Sequence, residues 1–410
     1  MPCIETLEAR LVISATVPGA LTVRGGTALN ELGGRSLIVT HGGKIVEVTQ
    51  SGLSRFNPDG SVDVTFGTQG TAAFPGLDFL SAGLVESANG ELIAVGLAPG
   101  KIELAAFNTT GTLDSGFGAN GLVESVADEV GDLSSEMWFQ AVASPDAGVV
   151  IAESGSGQKL LRRYTSSGAL DATFGDGGIV RLAGSSVVDS SRYLERIDAL
   201  AVGSDGSILV GDDVESIFGP PTREVLFRLT NDGKLDEGFA QGGMLVTRIP
   251  AATEDQTPAV QAQITILRDQ SFLVSGPAKY GGVLIERFDE SGTAVTSFGR
   301  RGLKLYHPFS DEIIGNVSVT TAPDGSVAVT DEALWGLRRI QQGADVTTLV
   351  NHTYKTSYLT EEGNRKKGRR TTTLRVLNSR NPTSVFVATA FDPNGSLFVQ
   401  TRDGTFKVNG

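Results

Sequence analysis

Carboxylates stand at the ends of several apolar runs. Glu153 follows VVIA, Asp212 and Asp213 follow ILVG, and Asp331 and Glu332 follow VAVT. Gathered at one mouth of a fold, two or three of them would hold a divalent cation such as Ca²⁺ and activate a water for hydrolysis, because a hard cation needs several converging oxygens. The plainer reading is solvated loop carboxylates in an acidic protein. His41, His307 and His352 are scattered along the chain, too few for a His-rich metal site. A single Cys excludes an internal disulfide framework and a Cys-rich metal site. Nucleophile motifs of the G-x-S-x-G type are missing, and glycine-rich strings such as GFGANG follow turns between strands instead of opening helices, so they are not phosphate loops. No catalytic residue is assigned, and no cofactor is expected beyond the Ca²⁺ those carboxylates would take.

One segment runs against the acidic balance. Arg365, Lys366, Lys367, Arg369 and Arg370 place five positive charges in six residues. They would dock an anionic partner, such as a polysaccharide or an acidic protein face, or form a solvated loop. Trp138 and Trp335 are the two tryptophans. Exposed, they would suit a sugar platform; packed, they belong to a core.

The elements that position these residues follow from composition and period. The chain has 410 residues, a formal net charge of −13, 52 Gly and a hydrophobic share of 40%. That apolar share supports a large core and excludes wholesale disorder. The acidic balance argues against nucleic acid as a partner, and no apolar run approaches the ~18 residues of a membrane-spanning helix.

Two motifs repeat. The first reads RFNPDGSVDVTFGTQG from Arg55, AFNTTGTLDSGFGANG from Ala106, RYTSSGALDATFGDGG from Arg163, RLTNDGKLDEGFAQGG from Arg228 and RFDESGTAVTSFGRRG from Arg287. Its Phe residues, Phe66, Phe117, Phe174, Phe239 and Phe298, are 51, 57, 65 and 59 residues apart. The second motif, two β-like runs around a small turn, recurs seven times between Gly43 and Gly395 at about the same period. Each period holds about four alternating, β-branched runs joined by Asp-Gly or Asn-Gly hairpin signals. In the second unit these runs are 83–87, 91–96, 102–108 and 121–126.

Four short strands seven times over predict an all-β fold, a single seven-bladed β-propeller with four strands per blade. The last unit holds three runs, at 384–392, 396–401 and 405–409. The orphan run 20–24 is therefore expected to supply the missing fourth strand and close the ring, which would remove two exposed edges. The expected domains are a leader or sorting-like segment at 1–19 and the propeller at 20–410.

Within the first motif, Gly60 allows the hairpin turn. Asp63 is placed to cap the N–H of Thr65 or Phe66 in an Asx turn, and Phe66 to plug between neighbouring blades. The same roles fall to Asp114, Asp171 and Asp236 with Phe117, Phe174 and Phe239. In the fifth copy Phe298 keeps its place but Val295 replaces the Asp. A replaceable Asp suits a structural role; the alternative is Ca²⁺ binding, for which one Asp per period supplies too few ligands locally.

The string x-F-N-P-D-G-S-[LV]-D-x-[ST]-F-G-x-x-G resembles the delta-60 repeat of bacterial exported and surface proteins. Five copies cover most of residues 25–305. The resemblance implies a propeller-like repeat protein with no agreed activity. IETLEARLVISAT at 4–16 is similar to the LEPR-XLL segment near the start of many large bacterial surface proteins. Leu7, Glu8 and Arg10 fit, whereas Ala9 stands where that motif has Pro and Val12-Ile13 where it has two Leu. Together these resemblances imply an exported protein, at the cell surface or envelope or extracellular.

The functional expectation is a non-catalytic interaction or scaffold module that binds an envelope or extracellular protein or glycan through its loop faces. It would act as a monomer or as part of an envelope assembly. The alternatives are a Ca²⁺-dependent hydrolase of the propeller lactonase or phosphotriesterase type, by fold analogy, and a carbohydrate-binding module.

Overall fold

β-Branched residues alternate with small and polar ones over runs of two to ten residues, and these runs pair as antiparallel strands. The computed structural model describes residues 12–13, 20–23, 37–49, 52–58, 61–74, 81–98, 101–126, 138–155, 158–182, 193–215, 224–249, 262–277, 283–306, 317–321, 327–331, 336–340, 346–351, 386–391, 397–401 and 404–408. Among them there is no helix, and so none long and apolar enough to cross a membrane.

Five four-stranded meanders follow one another along the chain. The first sheet is Leu37–Val39, Ile45–Thr49, Gly52–Phe56 and Thr71–Ala73. The second is Ser81–Glu86, Leu92–Ala98, Lys101–Phe107 and Leu122–Val126. The third is Trp138–Ala143, Val149–Gly155, Gln158–Tyr164 and Ile179–Arg181. The fourth is Tyr193–Val202, Ile208–Glu215, Glu224–Leu229 and Met244–Val246. The fifth is Gln263–Ile266, Phe272–Pro277, Val283–Phe288 and Leu303–Tyr306.

Two further sheets complete the described strands. The sixth is Val317–Thr321, Val327–Asp331, Gly336–Ile340 and Val346–Asn351. In the last sheet Phe386–Phe391, Leu397–Thr401 and Gly404–Val408 pair in order, and Ala20–Val23 adds antiparallel to Gly404–Val408, with Thr22 opposite Phe406. Val12–Ile13, inside the segment expected as a leader, adds a fifth strand by pairing with Thr22 and Leu21. The first strands of consecutive sheets lie side by side, and Phe386–Phe391 lies against both Val317–Thr321 and Leu37–Val39.

Boundaries differ from the sequence reading by a residue or two. The third strand of the second sheet stops at Phe107, because Asn108 Oδ1 accepts the N–H groups of Thr110 (3.0 Å) and Thr112 (3.1 Å) and turns the chain.

The core lies between sheets. Val46, Val48 and Phe66 pack with Ala94, Ala105 and Phe107 of the next sheet. Phe117 packs with Val149, Ile151 and Tyr164, Phe174 with Ile208 and Val210, and Phe239 with Phe272 and Phe288. Each such Phe contributes about 1.5–3 kcal/mol by burial. In each of the first five sheets, 14 residues separate the third strand from the fourth. That long turn folds back on its own third strand through a bridge, as Phe56 with Val62 and Tyr164 with Leu170. It carries the repeated Asp and Phe to the seam with the next sheet.

Candidate functional site

The repeated turn has one geometry in four units. Asp63 Oδ1 accepts the N–H of Thr65 at 3.2 Å and its hydroxyl at 2.6 Å. Asp114, Asp171 and Asp236 accept the N–H two residues on, from Gly116 (3.0 Å), Thr173 (2.9 Å) and Gly238 (3.0 Å). The second carboxylate oxygen takes an arginine from the start of the motif. Arg55 Nε donates to Asp63 Oδ2 at 2.9 Å, Arg163 Nε to Asp171 at 2.7 Å and Arg228 Nε to Asp236 at 2.7 Å. The guanidinium lies over the motif's own Phe, with Cζ 4.3 Å from the Phe66 centroid, 4.8 Å from Phe174 and 4.5 Å from Phe239. A cation over a ring in this way contributes about 0.5–2 kcal/mol.

The same arginine reaches across the seam. Nη1 donates to the carbonyl of Thr109, Asn231 or Glu290, each at 2.5 Å and each in the corresponding turn of the next sheet. Beside it, a main-chain N–H following the Phe donates to the next carbonyl of that turn: Gly67 to Thr110 (2.7 Å), Gly175 to Asp232 (2.9 Å) and Ala240 to Ser291 (2.9 Å). The second unit has Ala106 in place of the arginine and keeps the main-chain bond, Gly118 to Ser167 at 2.8 Å. The approach is so close that the receiving turn needs glycine. A Cβ on Gly111, whose φ is +80°, would stand 2.6 Å from Gly67 N and 2.9 Å from the Phe66 ring.

These four Phe side chains are fully buried, whereas Phe298 is half-buried, with Lys304 Nζ 4.6 Å from its centroid. Where Val295 replaces the Asp, Arg287 Nη2 donates instead to Asp269 Oδ2 (2.7 Å) and Ser271 Oγ (3.0 Å) of its own sheet. Gly60 lies outside the described residues.

Electrostatics follow this geometry. Burial raises the Asp63 carboxyl, but the Thr65 hydroxyl, Lys44 and Arg55 outweigh it and hold the group well below the usual carboxylate range. Asp171 is lowered on the same balance, burial against Thr173 and Arg163. The Ser271 hydroxyl, opposed by burial and aided by the Ser271 N–H and Arg287, lowers Asp269.

The carboxylates proposed as cation ligands divide. Glu153 and Asp212 are both 0% exposed and sit on second strands, within the sheets and one strand away from the first strands. Glu153 Oε1 accepts from Arg162 Nε at 2.7 Å, and Asp212 Oδ1 lies 3.6 Å from Lys159 Nζ across the seam between the third and fourth sheets. Both are thus paired with buried cations, which supply the charge that a metal would otherwise supply. Asp213 and Asp331 lie on strands, and Glu332 falls outside the described residues. Among the described residues no three His, Cys, Asp or Glu side chains converge. A cavity of about 20 Å³ lies at the seam between the fourth and fifth sheets, beside Asp205, Arg228 and Gln270. It has room for about one water molecule.

The remaining candidates are dispersed. His41 is exposed at a turn, where its N–H and Nδ1 meet Glu86 Oε2 at 2.7 and 2.8 Å. Trp138 begins a strand. Arg365, Lys366, Lys367, Arg369, Arg370, His307, His352 and Trp335 lie outside the described residues. Sequence reasoning assigned no role to Lys159, Arg162 or the motif arginines. The arginines recur at a fixed offset of eight residues before the Asp, and that signal was present to be read.

A family model described as a domain of unknown function (DUF5122) beta-propeller matches residues 38–66 and 203–239. No curated protein matches. Among solved structures, a catalytically inactive variant of virginiamycin B lyase from Staphylococcus aureus with quinupristin is similar at 13% identity and a TM-score of 0.54, covering 98% of each chain. A streptogramin B lyase is similar at 12% identity and a TM-score of 0.52, covering 95% of this chain and 98% of that one. A chain of a mitotic checkpoint complex is similar at 12% identity and a TM-score of 0.52, covering 100% of this chain and 96% of that one. At these identities the likeness concerns fold alone. With the family match and the successive four-stranded meanders, it makes the chain a β-propeller protein.

Proposed function

We propose that the chain is a seven-bladed propeller that serves as an exported, non-catalytic interaction and scaffold module at the bacterial cell envelope. The side-by-side first strands and the pairing of Ala20–Val23 with Gly404–Val408 support a ring of seven sheets. One observation carries the scaffold reading. The polar residues that recur at fixed offsets turn inward to grip the neighbouring sheet, as Arg163 does through Asp171 and Asn231, and so serve rigidity. The similar structures include both lyases and a chain of an assembly, so the fold admits either use. The loop faces are the binding surfaces of this reading, with an envelope protein or glycan as partner. The Arg365–Arg370 run favours an anionic one.

The test is metal content and thermal melting with and without a chelator, together with a turnover screen on lactones and phosphoesters and titration with an anionic polysaccharide. The expected result is no tightly held divalent ion, an unchanged melt, no turnover and salt-sensitive saturable binding. About one tightly held ion, a melt lowered by chelation and turnover would overturn this reading in favour of the hydrolase. Binding of neutral glycans with no salt dependence would favour the carbohydrate-binding module. Export is tested by fusing residues 1–19 to a reporter, which should appear outside the cytoplasm.

A further inference from the structure

The seam latch is distributed unevenly around the chain. The first four units each carry it, through the pairs Gly67–Thr110, Gly118–Ser167, Gly175–Asp232 and Ala240–Ser291. The fifth retains Phe298 and Gly299 and has lost the Asp. The sixth sheet has no room for it. Five residues separate Ile340 from Val346, against 14 in each earlier sheet, and an Arg-Asp-Phe-Gly turn does not fit into five. In the last sheet the third and fourth strands come from Gly404–Val408 and Ala20–Val23, remote in sequence, so no turn joins them directly and no latch can form on it. The last sheet is therefore flanked on both sides by seams that lack this device. Its fourth strand, Ala20–Val23, is joined to the third by strand pairing and not by a turn.

We infer that the last sheet is the opening element of the molecule, a strap that releases Ala20–Val23 and parts from its neighbours while the first five sheets, joined by the latches, stay closed. The inference rests on the seven-sheet ring proposed above. Its physical basis is that cooperative units open in the order of the contacts that hold them. Each latched seam adds a main-chain bond across the boundary beside a buried aromatic ring, and three of the four add a second bond from a charged arginine. Release of Ala20–Val23 exposes the edge of Gly404–Val408, and parting of the sheet uncovers Leu37–Val39 where Phe386–Phe391 lies against it, without loss of any latch. Closure of the same sheet joins strands separated by most of the chain, a costly loop to close and an easy one to release.

The experiment is hydrogen exchange by mass spectrometry on the full chain, compared with Val23→Cys/Thr405→Cys, made with Cys3→Ser so that one pairing is available. Val23 and Thr405 are register partners, and antiparallel pairs lie within disulfide reach. In the unstapled chain, amides of 20–23, 386–391, 397–401 and 404–408 should exchange together, at least tenfold faster than third-strand amides of the second to fourth sheets. The oxidised staple should slow that group at least tenfold and leave the first five sheets unchanged. A single rate shared by all sheets, with the staple formed, would overturn the strap and leave the ring standing. Failure of the staple to form in folded protein would instead remove the pairing on which the ring itself is drawn.

Discussion

The third and fifth turns are built from closely similar strings and hold themselves by different means. In the third, Arg163 is fixed by Asp171, lies over Phe174 and reaches Asn231 of the next sheet. In the fifth, Val295 replaces the Asp, and Arg287 turns back to Asp269 and Ser271 of its own sheet. Phe174 is fully buried and Phe298 is half-buried. The carboxylate therefore does more than cap a turn. It aims a flexible cation across a boundary, where the fork of Arg can serve two acceptors at once. Without it, the guanidinium takes the nearest local acceptor.

The largest expected effect separates the two aromatic plugs. Phe174→Ala should cost about 3–5 kcal/mol in denaturant unfolding, because it leaves a cavity in a dry seam. Phe298→Ala should cost less than half as much, and equal losses would break the comparison. Next come the arginines. Arg163→Ala leaves Asp171 buried beside a carbonyl that has lost its donor, and should cost about 3 kcal/mol. Arg287→Ala removes a pair whose Asp269 side chain is 60% exposed and should cost under about 1 kcal/mol.

Acid sharpens the contrast further. Asp171 is held below the usual carboxylate range in the folded chain, so its contribution is present above the unfolded pKa and is lost as pH falls through the folded one. The third seam should weaken below about pH 4, read as rising exchange of Arg163 and Gly175 amides, and Asp171→Asn should flatten that dependence. The smallest effect is a gain. Val295→Asp should draw Arg287 from Asp269 and raise stability by about 0.5–1 kcal/mol, visible as loss of the Asp269 pairing in a crystal structure or by NMR.

Much of this was legible in the residues. The repeat shows in the recurrence of the Phe residues at spacings of 51 to 65, and the four runs per unit and the Asx turn at Asp63 are local properties, set by alternation, hairpin glycines and a side chain reaching two residues on. The Phe plugs were legible because one large apolar residue recurred inside an otherwise polar turn. The ion pairs of Glu153 and Asp212 were not. Glu153 looked like a strand-end carboxylate, and only the register opposite Leu160 brings Arg162 beside it. Asp212 and Lys159 belong to different sheets. The strand at Val12–Ile13 was not legible either, because two residues carry no periodicity.

The repeat could be read along the chain because like residues recur at fixed offsets, and the strand class and turn chemistry because each depends on neighbours within a few residues. The tertiary structure alone decided which charge meets which, because Arg55 and Thr109, Arg163 and Asn231, and Arg228 and Glu290 are 54 to 68 residues apart. Those pairs exist only once two sheets stack with their turns level, and the depth of each seam then decides whether an Arg faces its neighbour or its own strand.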